Sequence, residues 1–326
     1  MRMKKILITL LTIALPIAFT ACGSDDDDSP GTPTVVNNNK NNASLQPELA
    51  RLEFPRLKGG TNNVLIVHKA SFGVNYCVEW DSDLRPEGWD GQGSLRAQRW
   101  TCYQMHKGNS SKKTDRKPRD TSSDFSEYPN DRDLDSRYHF TNDPYWGSGY
   151  DHGHIIASAD RAYSFNSAAN IQTFYMTNMQ PQVNGFNAGV WQNMEKFVRE
   201  QAKASTKKDS SQIGYDNLAD TLYVCKGGTI DSKDNIKGYI GSGSNRIPVP
   251  KYFYMALLCK NAQGYKAMAF WIQHKAGNDD GQALKQYVIS IDELEQKTGI
   301  DFFCNLPDDI EERVESNVAP NAWGFK

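Results

Sequence analysis

The chain carries no excess of charge of either sign. Its 37 Lys and Arg against 39 Asp and Glu leave a formal net charge of −2 over 326 residues. That excludes the global basic footprint of a dedicated nucleic-acid-binding protein. A membrane span is missing too: the apolar run from Ile6 to Phe19 is too short and too poorly flanked to cross a bilayer stably. Cysteine is scarce, with 6 in all. Apart from Cys22 these are Cys77, Cys102, Cys225, Cys259 and Cys304, and none stands at zinc-site spacing, so no structural zinc is expected. Their odd number leaves at least one unpaired within the chain. Cys77 and Cys102 fall in apparent neighbouring strands, where an oxidising compartment would permit a bridge.

What is present begins with an address. Arg2, Lys4 and Lys5 precede the apolar run, as in an export signal. The run ends in Phe19-Thr20-Ala21-Cys22-Gly23, which resembles a bacterial lipobox. The resemblance implies a signal peptide over residues 1–21 and a lipid on the Cys22 thiol. Each buried methylene of such a lipid contributes about 0.8 kcal/mol of membrane attachment. The plainer alternative is an ordinary signal peptide with a chance cysteine. Residues 22–54 then read as a tether: the acidic run Asp25 to Asp28, Pro30 and Pro33 and the Asn-rich stretch Asn37 to Asn42 offer nothing that could bury a core. An acidic run after a lipidated cysteine resembles the surface-export signal of Bacteroidetes lipoproteins. The expected location is therefore outside the cytoplasm, as an outer-membrane lipoprotein, with the cell surface as one of two readings of the acidic run; the other is a solvated linker.

Residues 55–326 are long enough for one sizeable mixed domain. Segments rich in β-branched and aromatic residues predict strands at 63–69, 75–81, 99–105, 221–226, 251–259 and 264–273. Val190, Trp191, Met194, Phe197 and Val198 recur on one face and predict a helix from Asn187 to about Ala204. A second is predicted from Ser290 to Thr298, stopped by Gly299. Strands outnumber helices, which points to an α+β fold with an antiparallel β-sheet core. Lys107, Lys112, Lys113, Arg116, Lys117 and Arg119 form a local basic patch in a loop-like segment, able to track a phosphate backbone or merely to sit solvated.

The chemistry concentrates between Tyr150 and Arg199. His154 follows Asp151-His152-Gly153, and imidazole titrates near neutrality, as a general base for an attacking water requires. Gly153 is expected to let the backbone bend beside it. Asn187, at the helix start, offers a hard amide oxygen suited to magnesium, which keeps most of its waters. On an ideal helix Glu195 is two turns further on and offset by roughly 80°, so its carboxylate can order a metal's water shell. Arg199 can pair with Glu195 or reach a phosphate. Taken singly, each has a plainer reading as a turn residue, a core-facing ladder or a surface ion pair.

Together their order resembles the DNA/RNA non-specific endonucleases, the family of the Serratia nuclease and endonuclease G. The family's D-R-G-H appears as Asp151-His152-Gly153-His154. Its S-N-x-x-P-Q appears as Thr177-Asn178-Met179-Gln180-Pro181-Gln182, and its L-N-x-x-x-W-x-x-L-E as Phe186-Asn187 through Trp191 to Met194-Glu195. Arg137-Tyr138-His139-Phe140-Thr141-Asn142-Asp143 resembles R-x-x-F-x-x-D. Leu222 to Gly228 and Val249 to Tyr254 resemble two later strands, so residues from about 75 to 305 are covered.

The resemblance implies a ββα-metal (His-Me finger) fold and an endonuclease acting on DNA and RNA, leaving 5′-phosphate and 3′-hydroxyl ends. His154 would be its general base and Asn187 the protein ligand of Mg2+, with Mn2+ as a substitute. Arg137 would stabilise charge on the phosphate, and Asn178, Glu195 and Arg199 complete the catalytic set. Some family members are homodimers, so a homodimer is one expectation for the assembly. One departure stands out: His152 replaces the signature arginine. A histidine is shorter and mostly neutral above about pH 6.5. It implies a working site with weaker phosphate attraction and a lower pH preference. Two alternatives remain open: a surface nucleic-acid-binding lipoprotein whose catalysis is weakened, and a phosphodiesterase for smaller esters.

Overall fold

Alternation along the strands explains the architecture. In Tyr252–Asn261 (β9), Phe253, Met255, Leu257 and Cys259 join one hydrophobic cluster while Tyr254, Ala256 and Leu258 join another. Such a strand is buried on both faces, so the sheet must be covered on both sides. Each fully buried Phe, Leu or Met contributes about 1.5–3 kcal/mol, which makes this strand a strong anchor. A computed structural model describes residues 36–326 except 45, 83–94, 111–126, 162–166 and 206–212. The lipobox with Cys22, the run Asp25 to Asp28 and the basic residues Lys112 to Arg119 lie outside the described residues.

The strands are Asn63–Ala70 (β1), Gly73–Asp81 (β2), Ala97–His106 (β3), Asp151–His154 (β4), Met179–Gln182 (β5), Thr221–Gly228 (β6), Ile236–Ile240 (β7), Ile247–Pro250 (β8), β9, Gly264–Gln273 (β10) and Val288–Ile289 (β11). The helices are Lys107–Ser110 (α1), Ser167–Gln172 (α2), Gln192–Glu200 (α3), Ile291–Thr298 (α4) and Asp308–Glu315 (α5). Among the described residues seven strands form one antiparallel sheet in the order β1-β2-β3-β6-β9-β10-β11. On one face lie the β4–β5 hairpin and α3, through Met179, Trp191, Met194 and Val198. On the other lie α4 and α5, through Ile291, Leu294 and Val314. The α+β fold with its antiparallel core is as the sequence implies.

Helix α4 follows its sequence signals. The Ser290 side chain caps the backbone N–H of Glu293, and Gly299 closes the helix at φ +67. The helix expected from Asn187 to Ala204 differs. Phe186–Trp191 is a π turn, and only then does α3 begin. At Gly189 the backbone leaves helical geometry (φ −108, ψ −115), because the Gly277 carbonyl inserts and accepts from the Val190 N–H at 2.7 Å. A Cβ on Gly189 would lie 2.1 Å from that oxygen. Asn187 and Glu195 therefore do not share one ideal helix, and their expected angular offset does not apply.

The tether is shorter than the sequence implies. Within 36–54 the Asn-rich stretch is docked against the C-terminal region. Asn37 donates to the Cys304 carbonyl at 3.1 Å, the Asn38 N–H to Asp308 at 3.0 Å, and Asn41 to the Pro55 carbonyl at 2.9 Å. Leu49 and Phe54 are buried. Composition argues against a core there, but asparagine amides can dock by hydrogen bonding to backbone groups instead. The five cysteines of the domain are buried thiols. Cys77 faces Cys102 across β2 and β3, and Cys102 faces Cys225 across β3 and β6.

Candidate active site

The hairpin pairs Asp151 with Gln182, His152 with Pro181, Gly153 with Gln180 and His154 with Met179. Gly153 is needed here for closeness, not for a bend. A Cβ at that position would fall 2.3 Å from the Gln182 side chain and 2.6 Å from the Gln180 carbonyl. Its backbone φ is not positive, so the expected bending role gives way to cross-strand fit. His154 is held at both ends. Its carbonyl accepts from the Trp191 indole at 3.2 Å, and its ring stands edge-on to Phe174 at 5.0 Å. Trp191 is thus a core residue that also ties the helix to the strand carrying the histidine.

Asn187 enters the site with its orientation settled. Its Nδ2 donates to Asp151 Oδ2 at 3.0 Å, as does Asn184 Nδ2 at the same distance. A carboxylate accepts only, so the amide nitrogen must face it, and Oδ1 is the atom left to face elsewhere. Asp151 therefore positions the amide, a role the sequence analysis missed although the residue opens the motif. Asn187, His154, His152, Glu195, Lys196 and Arg199 all line one open cleft of about 530 Å³.

Under the cleft floor lies a buried charge network. Asp160 accepts from Tyr103 at 2.6 Å and from Arg199 at 2.9 Å, and the Lys226 ammonium is 3.6 Å away. Burial alone would raise the Asp160 pKa, but Lys226 and Arg199 outweigh it and hold the carboxyl below its usual range. Glu195 is pushed up to about 7: burial dominates, Asp160 adds to it, and Lys226 and Arg199 only partly offset it. Arg199 thus takes Asp160 as its hydrogen-bond partner and acts on Glu195 through its charge. Lys226, wholly buried on β6, acts through its charge on both Asp160 and Glu195.

His152 is not a shortened arginine reaching for substrate. Its ring is sandwiched between Tyr128 (3.8 Å, 4°) and Tyr145 (4.1 Å, 28°), and its Nε2 meets Asp143 at 3.0 Å. It lines the cleft as a fixed wall. Asn178, expected in the catalytic set, is spent on the backbone. Its amide accepts from the Ile156 N–H at 2.9 Å and donates to the Ile156 and Thr173 carbonyls at 3.0 and 2.7 Å. With the residue wholly buried, this is a brace for the chain after β4, not a catalytic group. Arg137 is 66% exposed, beside Asp135 and over the Tyr138 ring. It does not line the cleft.

With this geometry in hand, comparison with known proteins decides the family. The sequence profile described as DNA/RNA non-specific endonuclease matches residues 91–309. The chain belongs to that family. Mitochondrial endonuclease G of Bos taurus is 28% identical over 268 residues, 79% of this chain and 74% of the relative. A nuclease of a Nostoc species is 31% identical over 181 residues, covering 53% of this chain and 58% of its own. A solved chain from the EndoG/EndoGI complex, 23% identical, superposes with a TM-score of 0.53 over 76% of this chain and 89% of its own, and shares the fold. As a family member the protein is a nucleic-acid hydrolase of the ββα-metal class, in which β4, β5 and the helix after them supply the named unit. The family works with a divalent cation.

Proposed function

We propose that this nuclease is a metal-dependent, sugar-non-specific endonuclease, cutting DNA and RNA to 5′-phosphate and 3′-hydroxyl ends. The observation that carries the reading is that the His154 imidazole, edge-on to Phe174, and the Asn187 amide, bonded to Asp151, line one cleft. The donor set suits Mg2+: the Asn187 Oδ1 and the Glu195 carboxylate are hard oxygens, too few to strip the ion of its waters. When bound, the ion supplies positive charge against the phosphate and the departing 3′ oxygen. The chain's own groups do the rest. His154 takes the proton of an in-line water. Glu195, once ionised, orders water beside Asn187. Arg199 meets a phosphate of the bound strand from within the cleft, and Arg137, exposed outside it, is left to phosphates further along the strand. Contacts of this kind carry no base information, so cleavage is largely non-specific.

Supercoiled plasmid and single-stranded RNA are both expected to be cut with Mg2+ and spared with excess chelator. Cutting of only a small diester, or undiminished cutting in chelator, would overturn the proposal. If plasmid is bound but never cut, the weakened, binding-only alternative takes its place.

The Asp151–Asn187 contact gives a sharper check. Asp151→Ala releases the amide to rotate, and a group that orients a ligand typically sets about 10- to 100-fold of metal affinity or activity. The Mg2+ concentration needed for half-maximal cleavage is expected to rise by that factor while the melting temperature stays nearly unchanged. An unaltered Mg2+ requirement would remove Asn187 from the ligand role. Export and the lipid anchor at Cys22 belong to the same proposal and rest on the N-terminal sequence alone. The mass of the mature N-terminus checks them.

A further inference from the structure

On the sheet face opposite the cleft, α4 and α5 bring carboxylates together. Asp292 and Glu295 stand one turn apart on α4, and Glu311 and Glu315 one turn apart on α5. One oxygen from each of Asp292, Glu295 and Glu315 lies within 4.8 Å of the others. Glu315 is only 4% exposed, and its Oε1 is buried with no hydrogen-bond partner. A second orphan oxygen adjoins the group. Asn39 donates its Nδ2 to Glu311 at 2.9 Å and to both oxygens of Asp301 at 3.3 Å, while its Oδ1 is buried without a partner. The lysine of α4, Lys297, pairs with Glu293 instead, at 3.3 Å. Among the described residues no Lys or Arg forms an ion pair with Asp292, Glu295 or Glu315.

Carboxylates this close, with Glu315 buried and Asp292 and Glu295 half-buried, repel one another unless something compensates them. Unpartnered buried oxygens are the mark of a missing partner. All the donors are oxygen, with no imidazole or thiolate, which disfavours transition metals. Ca2+ takes six to eight oxygens at about 2.3–2.6 Å in loose geometry, so oxygens up to about 5 Å apart fit around one ion. Mg2+ would demand a tighter and more regular shell.

We propose that Asp292, Glu295 and Glu315 bind a structural Ca2+, with the Asn39 and Glu311 oxygens at its margin. The ion joins α4 to α5 and, through Asn39, to the docked segment before β1. It is separate from the cleft metal and stands on residues the nuclease mechanism does not use.

The test uses the full chain carrying Asn187→Ala, so that the proposed cleft ligand is gone, stripped with chelator and titrated with CaCl2 by calorimetry. One Ca2+ per chain is expected, with a dissociation constant of about 10⁻⁴–10⁻³ M or tighter, as in extracellular calcium modules. The melting temperature should rise with Ca2+ concentration. Adding Glu295→Gln and Glu315→Gln should abolish both effects. Asp292→Asn alone, at a half-buried position, should weaken binding at least about tenfold if the double variant does not fold. No binding by the Asn187→Ala chain, or binding that survives these changes, overturns the site. The run Asp25 to Asp28 is common to all the variants, so it cannot produce the difference. In the chain with Asn187 intact, Glu295→Gln with Glu315→Gln should leave Mg2+-dependent cleavage unchanged. Failure here is thereby distinct from failure of the nuclease assignment.

Discussion

Replacing His154 with alanine is expected to lower the rate of plasmid cleavage by about 10²- to 10⁴-fold, the contribution of a well-placed general base. The loss should fall on kcat, because the ring is proposed to act on water and not to hold the strand. Folding should survive. The tie that docks β4 to the helix runs from the Trp191 indole to the His154 carbonyl, which alanine retains. Among what the variant gives up are the edge-on contacts with Phe174 and Tyr128, each an interaction of about 0.5–1.5 kcal/mol. Single-turnover cleavage at saturating Mg2+, with thermal unfolding as the control, separates the two effects. Activity within a few-fold of the parent in a folded His154→Ala protein would move the base elsewhere in the cleft.

The second large effect concerns stability. His68 is wholly buried in β1, with Nε2 3.0 Å from Asp131 Oδ2 and Nδ1 3.0 Å from Asp133 Oδ2. Both ring nitrogens thus face carboxylates at hydrogen-bonding distance, which reads as an imidazolium between two acids and not as a metal site. Burial would lower the pKa of His68, but Asp131 and then Asp133 more than offset it and carry it to about 9. The folded pKa lies above the unfolded value near 6.5. The stabilisation is therefore full below about pH 6.5 and is lost as pH rises through about 9. A shift of this size corresponds to about 3 kcal/mol.

Urea unfolding at pH 6 and above pH 9 should show that loss. His68→Gln should remove this part of the pH dependence and cost about 3–5 kcal/mol at pH 6, since it leaves Asp131 buried without its cation. Equal pH slopes in parent and variant would sink the charge assignment. Thr177, in the motif segment before β5, donates its hydroxyl to the same Asp131. Charge on His68 therefore also stiffens the chain entering the hairpin.

Much of this molecule was legible in its residues. The six strands read from apolar runs stand where expected, since burial on both faces leaves a dense apolar signal in β9 and β10. Helix α4 was legible because its stop and start are local, in Ser290 and Gly299. His154, Asn187, Glu195 and Arg199 meet at one cleft as the motif order implies.

What escaped depends on partners far away in sequence. The π turn needs Gly277, whose carbonyl arrives from beyond β10. The commitment of Asn178 to Ile156 and Thr173 cannot be told from a catalytic amide by residue type. His152 was weighed against an arginine, but its surroundings, Tyr128, Tyr145 and Asp143, come from two separate loops. The docking of the Asn-rich stretch is silent in composition, which records apolar burial and is blind to amides that dock on backbone carbonyls.

That docked stretch has a mechanical consequence. The chain enters the domain at Val36, whose carbonyl accepts from the Asp308 N–H at the first turn of α5. Any pull on the upstream chain is borne first by Asn37, Asn38, Asn39 and Asn41, in a clasp to the C-terminal region. The cleft carrying His154 is built on the opposite side of the sheet. Load and chemistry are thereby routed through different layers. A strand of nucleic acid dragged against a held N-terminus would strain the clasp before it disturbed the geometry of the catalytic groups.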